Sequence, residues 1–317
     1  VQNDFDFSHD PLVSDDDESV VMDQQQKEFF NVSFLGTAAA IPGKYRNVSG
    51  ILVRFGDDYA ILDCGEGSLG QLQRLFDFDE YKRVIKKLKV ICLTHIHADH
   101  HLGTISFLLS EHRNSDGSPI LVYAPTAFKD WFEEYERVTR LDLNIQFVSC
   151  NDVCILPVGD DLKISAFSVV HCADACGFRL DHPRSSKSIV YSGDTRPSDC
   201  LITNALDVDL LIHEATMPDD LAEEARVRKH CTVSEALDVG VECRSKHTIL
   251  THFSQRFAKS FPINQVPGNV AFAADLLSVD VNDDQLNRLC LSTSMLPKME
   301  TESADGNESA EAENENE

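Results

Sequence analysis

The run Thr94-His95-Ile96-His97-Ala98-Asp99-His100 constrains this chain more than any other stretch. It follows Val90-Ile91-Cys92-Leu93, an apolar segment that predicts a buried strand, and it places three imidazoles and a carboxylate within six positions. Donors this close at a strand end can fan from one turn toward two centres. Imidazole nitrogen with carboxylate oxygen is also the donor set that borderline metals such as zinc favour. A purely structural histidine cluster is the plainer alternative.

A metal site with open positions needs further donors from elsewhere in the chain. His171 closes the run Phe167-Ser168-Val169-Val170, Asp194 lies in Ser192-Gly193-Asp194-Thr195 after Ile189-Val190-Tyr191, and His252 follows Ile249-Leu250-Thr251. A lone histidine or turn aspartate is more often structural. Here a metal-type donor recurs after one apolar strand and then another, which reverses that reading.

Short β-rich runs at 31–35, 50–55, 59–63, 90–93, 120–124, 162–170, 189–191, 210–213 and 248–251 are interleaved with helix-like stretches. The helical stretches fall at 102–112, 127–140, 221–229 and 234–243, with Ser234 as an N-cap before Glu235. Many of the strands are apolar throughout, as strands covered on both faces are, so an α/β layered fold is expected. No linker or internal repeat interrupts residues 29–295, which read as one domain between acidic, disordered segments at 1–28 and 296–317.

The set formed by the 95–100 run, His171, Asp194 and His252 resembles the ordered metal motifs of the metallo-β-lactamase superfamily, over about residues 30–295. That resemblance implies a four-layer αββα sandwich holding two Zn2+ or other divalent ions. One ion takes His95, His97 and His171, the other takes Asp99, His100 and His252, and Asp194 bridges them. Two ions roughly 3.5–4 Å apart activate water and stabilise the oxygens of an in-line displacement.

Five further stretches narrow the substrate: 34–42 (FLGTAAAIP), 44–47 (KYRN), 62–67 (LDCGEG), 213–216 (HEAT) and the region 229–232 (KHCT). In this order they are similar to the tRNase Z family, endonucleases that remove the 3′ trailer from precursor tRNA. By that resemblance Lys44, Arg46 and Asn47 contact the substrate, and Glu214 with His230 supplies a proton to the departing 3′ oxygen. Asp99 is implied to act on the attacking water as well as to bind metal. Asp63 supports a ligating imidazole, or caps the helix expected over 71–76. The chain departs from the family at Cys231, where a small hydroxyl residue usually stands. His101, His112, His182, His213 and His247 read as structural or surface residues.

A net charge of −25 ordinarily argues against an RNA partner. Residues 1–28, however, hold nine acidic residues against Lys27, and residues 300–317 hold eight against none, which leaves −9 for the middle. An RNA-facing surface must then concentrate its cations. The candidates are Lys44, Arg46, Arg179, Arg184, Lys187, Arg196, Arg226, Arg228, Lys229, Arg256 and Lys259. The ten cysteines lack CxxC spacing, and most read as buried, reduced thiols.

No apolar run approaches the roughly 18 residues of a membrane span, and no signal-peptide core opens the chain. With Val at position 1 and no arm-like insertion, the chain resembles the catalytic C-terminal half of the long, eukaryotic members of the family. Its expected partners are precursor tRNA and either an N-terminal half bearing the tRNA-gripping arm or a second copy. Its expected location is nucleus, mitochondrion or both. Two other readings stay open: a phosphodiesterase or thioesterase acting on small substrates, and a non-catalytic RNA-binding module.

Overall fold

The computed structural model describes residues 30–110, 119–141, 143–257 and 266–294; the expected acidic segments, His112 and Lys259 lie outside them. Strands β1 (Asn31–Gly36), β2 (Gly50–Phe55), β3 (Asp58–Cys64), β4 (Leu88–Cys92), β5 (Ile120–Ala124) and β6 (Ile145–Ser149) belong to one sheet. Strands β7 (Ile155–Val158), β8 (Leu162–Ser168), β9 (Cys176–His182), β10 (Lys187–Tyr191), β11 (Leu210–Glu214), β12 (His247–Thr251) and β13 (Val270–Phe272) form the other. Strand β14 (Ser278–Asp280) crosses back to pair antiparallel with β1.

The two sheets repeat one plan. From β1 to β3 neighbours run antiparallel and from β3 to β6 parallel; from β7 to β10 they run antiparallel and from β10 to β13 parallel. The duplication is topological and leaves no repeat visible in the sequence. Each parallel run sends its strand ends to one edge, where loops can gather ligand-binding groups.

Alternation along the strands builds the layers. Val53, Leu62, Val90 and Cys92 face inward against Phe178, Leu180, Ile189, Tyr191 and Ile212. Leu52, Ile61, Ile91 and Leu93 face outward, under Leu72, Val84, Ile85, Phe107 and Phe128 of the covering helices. On the second sheet Val190 and Leu211 pack under Leu201 and Val239, and Leu250 under Ala236. Strands with both faces buried must be apolar throughout, which is the pattern seen in the sequence. The result is the expected αββα sandwich.

Two local expectations are corrected. Of the helix expected over 102–112 the described residues form only the short piece Thr104–Leu108, set off at Gly103 from the turn Ala98–His101 that precedes the expected span, and residues 111–112 lie outside the described residues. Gly103 donates its N–H to the Cys64 carbonyl, and a Cβ there would stand 2.1 Å from the Gly65 carbonyl oxygen, so the close approach of these loops requires glycine. The helix Val233–Glu242 is capped by Thr232 rather than Ser234. The Thr232 side chain accepts from Glu235 N–H while Glu235 reaches back to the cap, a capping box. Thr232→Ala is expected to lower stability by about 1 kcal/mol, read from the denaturant midpoint at unchanged slope.

Among the described residues no helix is long and apolar enough to cross a membrane.

Candidate metal centre

All seven predicted ligands converge on the edge where the parallel strands end. Ligand-capable atoms of His95, His97, His171 and Asp194 lie within 4.8 Å of one another, as do those of Asp99, His100 and His252. Asp194 joins the groups: Oδ2 is 3.6 Å from His95 Nε2, 3.3 Å from His100 Nε2 and 3.7 Å from His171 Nε2, and Oδ1 is 3.3 Å from His252 Nε2.

Whether this cage suits cations depends on which ring nitrogens carry hydrogen, and the surrounding hydrogen bonds assign that. Thr94 Oγ1 donates to Asp63 Oδ2 at 2.8 Å, so toward His95 Nδ1, 2.9 Å away, it accepts. His95 Nε2 is then a bare lone pair. His171 Nδ1 donates to the Lys229 carbonyl at 3.1 Å and His100 Nδ1 to Asp63 Oδ2 at 2.7 Å. Thr216 Oγ1 gives its hydrogen to Glu214 Oε2 and accepts from His252 Nδ1 at 2.7 Å. The inner nitrogens of all four rings are therefore unprotonated when the rings are neutral.

Two of those lone pairs face each other, with His100 Nε2 3.2 Å from His252 Nε2, and the lone pairs of His95 Nε2 and His171 Nε2 both converge on His97 Nδ1, at 2.9 Å and 3.1 Å, which has at most one hydrogen to give. Lone pair against lone pair is repulsive, and a cation relieves it. A tetrahedral zinc with nitrogens at about 2.0–2.1 Å has ligand edges of roughly 3.3 Å, close to these separations. Asp194 Oδ1 is buried and accepts no hydrogen bond. The donor set fits two divalent ions.

Without cations the charges are strained. Burial, reinforced by neighbouring imidazoles, holds His95 well below the usual histidine range. Burial also opposes ionisation of Asp194, but His252 and His100 outweigh it and keep the carboxylate charged. For His100 the nearby Asp194, Asp99 and Asp63 outweigh burial in the other direction.

Asp63, at the end of β3, is fully buried and turned by a positive φ of 54°. It accepts four hydrogen bonds: Thr94 N at 2.7 Å, Thr94 Oγ1, His100 Nδ1, and Tyr191 Oη at 2.8 Å. This is the ligand-supporting geometry. The alternative reading as a helix cap is overturned, because the helix Ser68–Leu75 begins after Gly67 with no side-chain cap. His252 also sits at positive φ, 58°, so strained backbone marks two of the strand ends that feed the site.

Beside the cage, Glu214 is buried and accepts from Thr195 N at 2.7 Å, Cys231 N at 3.1 Å and His230 Nδ1 at 3.0 Å. Burial lowers His230's affinity for a proton, but Glu214 more than restores it and raises the ring to about 9. His230 and Asp99 line, with Asp194 and His252, a cavity of about 700 Å³ rimmed by Ile41, Arg228 and Arg256. Asp99 Oδ2 accepts the Ala40 N–H at 2.6 Å and faces His252 Nε2 at 3.4 Å, an arrangement that suits a ligand better than a base.

The loop that carries Lys44, Arg46 and Asn47 follows Ile41 but stands outside the cavity lining. Lys44 is exposed, Arg46 lies over the Phe253 ring, and the Asn47 amide is turned to the Glu66 carbonyl at 2.9 Å as a loop brace. None of the three lines the cavity. Many of the other candidate cations are committed internally: Arg179 to Asp181, Arg184 to Asp161, Lys187 to Asp209, Arg226 to Glu223, and Lys229 to the His171 carbonyl. Arg228 and Arg256 reach the cavity while sharing Glu224.

The Cys231 thiol points inward to the Thr195 carbonyl, away from the cavity. His213 is buried on Ser192 Oγ and pushed down to about 4 by burial, a structural residue as expected. His101, His182 and His247 are buried outside the cage. Sequence reasoning missed Thr94, Tyr191 and Thr216 as parts of the site. Thr94 and Thr216 stood inside the quoted motifs; Tyr191 ended an apolar strand and carried no signal.

An αββα sandwich that gathers seven histidine and aspartate donors around two adjoining centres at one edge defines a protein of the binuclear metal-site type. The chain belongs to the β-lactamase superfamily: the family model for the beta-lactamase superfamily domain matches residues 59–253. It is 39% identical over 280 residues to the mitochondrial ribonuclease Z of Drosophila melanogaster, an alignment covering 83% of this chain and 36% of that protein. It is 37% identical over 261 residues to the zinc phosphodiesterase ELAC protein 2 of Macaca fascicularis, covering 74% of this chain and 31% of that one. The chain thus spans about a third of the length of these relatives. The crystal structure of the short form of human tRNase Z superposes with a TM-score of 0.66 at 26% identity, covering 80% of this chain and 99% of that one.

Proposed function

We propose that this chain is the catalytic unit of a zinc-dependent endoribonuclease that removes the 3′ trailer from precursor tRNA. The observation that carries the reading is the placement of the Glu214–His230 pair beside two adjoining ligand clusters, in one cavity with Asp99 and Asp194. The names of the relatives, a ribonuclease Z, a zinc phosphodiesterase and a tRNase Z, support the substrate and the metal.

In this reading His95, His97 and His171 hold one ion, Asp99, His100 and His252 the other, and Asp194 both. The bound ions supply a nucleophile from water at neutral pH and charge stabilisation for the phosphodiester oxygens. Glu214 orients His230 through Nδ1, which leaves Nε2 to hand a proton to the departing 3′ oxygen. Asp63 and Thr216 fix the tautomers of His100 and His252. Lys44 and Arg46 are assigned to the acceptor end of the RNA, while Asn47 braces the loop that carries them. The tRNA grip is assigned to the part of the full protein that this chain does not span, or to a second copy. The mitochondrion is the favoured compartment, on the name of the Drosophila melanogaster relative, with the nucleus as a second.

The test is cleavage of a precursor tRNA carrying a 3′ trailer, with and without chelator, against bis(p-nitrophenyl) phosphate as a small phosphodiester. Metal-dependent release of the trailer as a 5′-phosphorylated fragment is expected. Hydrolysis of the small ester without trailer release, by the full-length protein as well as by the chain, contradicts the assignment.

A further inference from the structure

We infer that Arg196 is a positioning residue for the proton donor: it clamps the loop bearing His230 to the segment that carries Asp194. The inference rests on the reading of His230 given above. By composition Arg196 was a candidate for RNA contact, yet its guanidinium is spent inside the protein. Nη1 donates to the His230 carbonyl at 2.6 Å and to Glu235 Oε2 at 2.6 Å, and Nη2 donates to Glu235 Oε1.

The backbone around Arg196 is tied as firmly. Its N–H donates to the Val170 carbonyl at 3.0 Å, beside ligand His171, and the neighbouring Thr195 N–H donates to Glu214 Oε1. Thr195 Oγ1 in turn accepts from Val170 N at 3.0 Å. Glu235 is the capping-box residue of the helix that follows the His230 loop, accepting Thr232 N at 2.9 Å. A planar fork on a carboxylate fixes orientation as well as distance, which a single point charge does not. Arg196 thus registers to one another the carbonyl of the proton donor, the cap of the next helix, and the segments after β8 and β10 that hold His171 and Asp194.

The geometry makes a specific demand. His230 is useful only when its ring faces the leaving oxygen, and a small displacement of a catalytic group costs rate without touching the ligands. No metal-ligand side chain hydrogen-bonds to the guanidinium, and the one ligand tied to this loop, His171, is held there by its own pair of contacts with Lys229, so metal content is expected to survive loss of the fork.

The experiment is a double-mutant cycle on the full chain with Arg196→Met, His230→Ala and the pair. Precursor tRNA and bis(p-nitrophenyl) phosphate serve as substrates, and bound metal is measured for each protein. Arg196→Met is expected to slow trailer release roughly 10- to 100-fold, as loss of an orienting partner does elsewhere, at unchanged metal content. Its effect on the nitrophenyl ester, whose leaving group needs no proton, is expected to be only a few-fold. In the His230→Ala background Arg196→Met is expected to add nothing, because residues acting as a unit are not additive.

A loss that persists undiminished in the His230→Ala background, or that falls equally on both substrates, overturns the inference. Full trailer release by His230→Ala overturns the reading of His230 itself, a separate and distinguishable failure. Should Arg196→Met not fold, Glu235→Gln runs the same cycle: glutamine preserves the capping box while weakening the fork. A smaller loss of the same His230-dependent pattern is expected, and wild-type behaviour counts against the clamp.

Discussion

Asp194→Ala is expected to lower trailer release by at least ~10³-fold, about 4 kcal/mol of transition-state stabilisation, and to cut bound metal from two ions per chain to one or fewer. The carboxylate stands 3.3–3.7 Å from the inner nitrogens of His95, His100, His171 and His252, so its removal withdraws a donor from both clusters at once. Its negative charge, on a side chain that is itself buried, would also offset the two divalent ions. Asp194→Asn, which keeps the shape and deletes the charge, is expected to fall near the alanine variant. Metal analysis with a single-turnover cleavage assay checks both statements, and wild-type metal content in either variant contradicts the bridging assignment.

Asp63→Ala is expected to be the most damaging substitution outside the ligands. It leaves the Thr94 N–H, the Thr94 hydroxyl, the Tyr191 hydroxyl and His100 Nδ1 without their buried acceptor. Removing one member of such a buried polar cluster costs about 3–5 kcal/mol, and alanine tolerates the positive φ of 54° less readily than aspartate. The loss is read from the midpoint of urea unfolding. Asp63→Asn separates stability from function: it retains an acceptor but weakens the hold on His100, so about 10- to 100-fold weaker metal binding in a chelator competition is expected. Unchanged affinity in that variant contradicts the role of Asp63 in orienting His100.

The ligands were legible in the sequence because each follows an apolar strand, and parallel strands bring their ends to one edge. His171, Asp194 and His252 are weak signals singly and a strong one as a series. The layering was legible for the same reason, since strands such as β4 and β11 are buried on both faces. What the sequence hid depends on long-range contacts. Strand β9 carries only a mild alternation in Cys176–His182, and its pairing with β8 and β10 supplies the rest.

The break at Gly103 depends on a carbonyl from Gly65, distant in sequence. Tyr191 joins the site only because the second sheet packs its β10 end over Asp63 of the first. The cationic surface was overread because charge counting sees arginines and not their partners. Arg179, Arg184, Arg196 and Arg226 each have a carboxylate of the same chain within hydrogen-bond reach.

Two metal ions are expected to be held between the two halves of one sandwich. Anomalous X-ray scattering from crystals of the chain, recorded on either side of the zinc edge, tests this most directly. Two peaks are predicted, one among His95, His97 and His171 and the other among Asp99, His100 and His252, with Asp194 between them. A single peak, or peaks away from these side chains, contradicts the account.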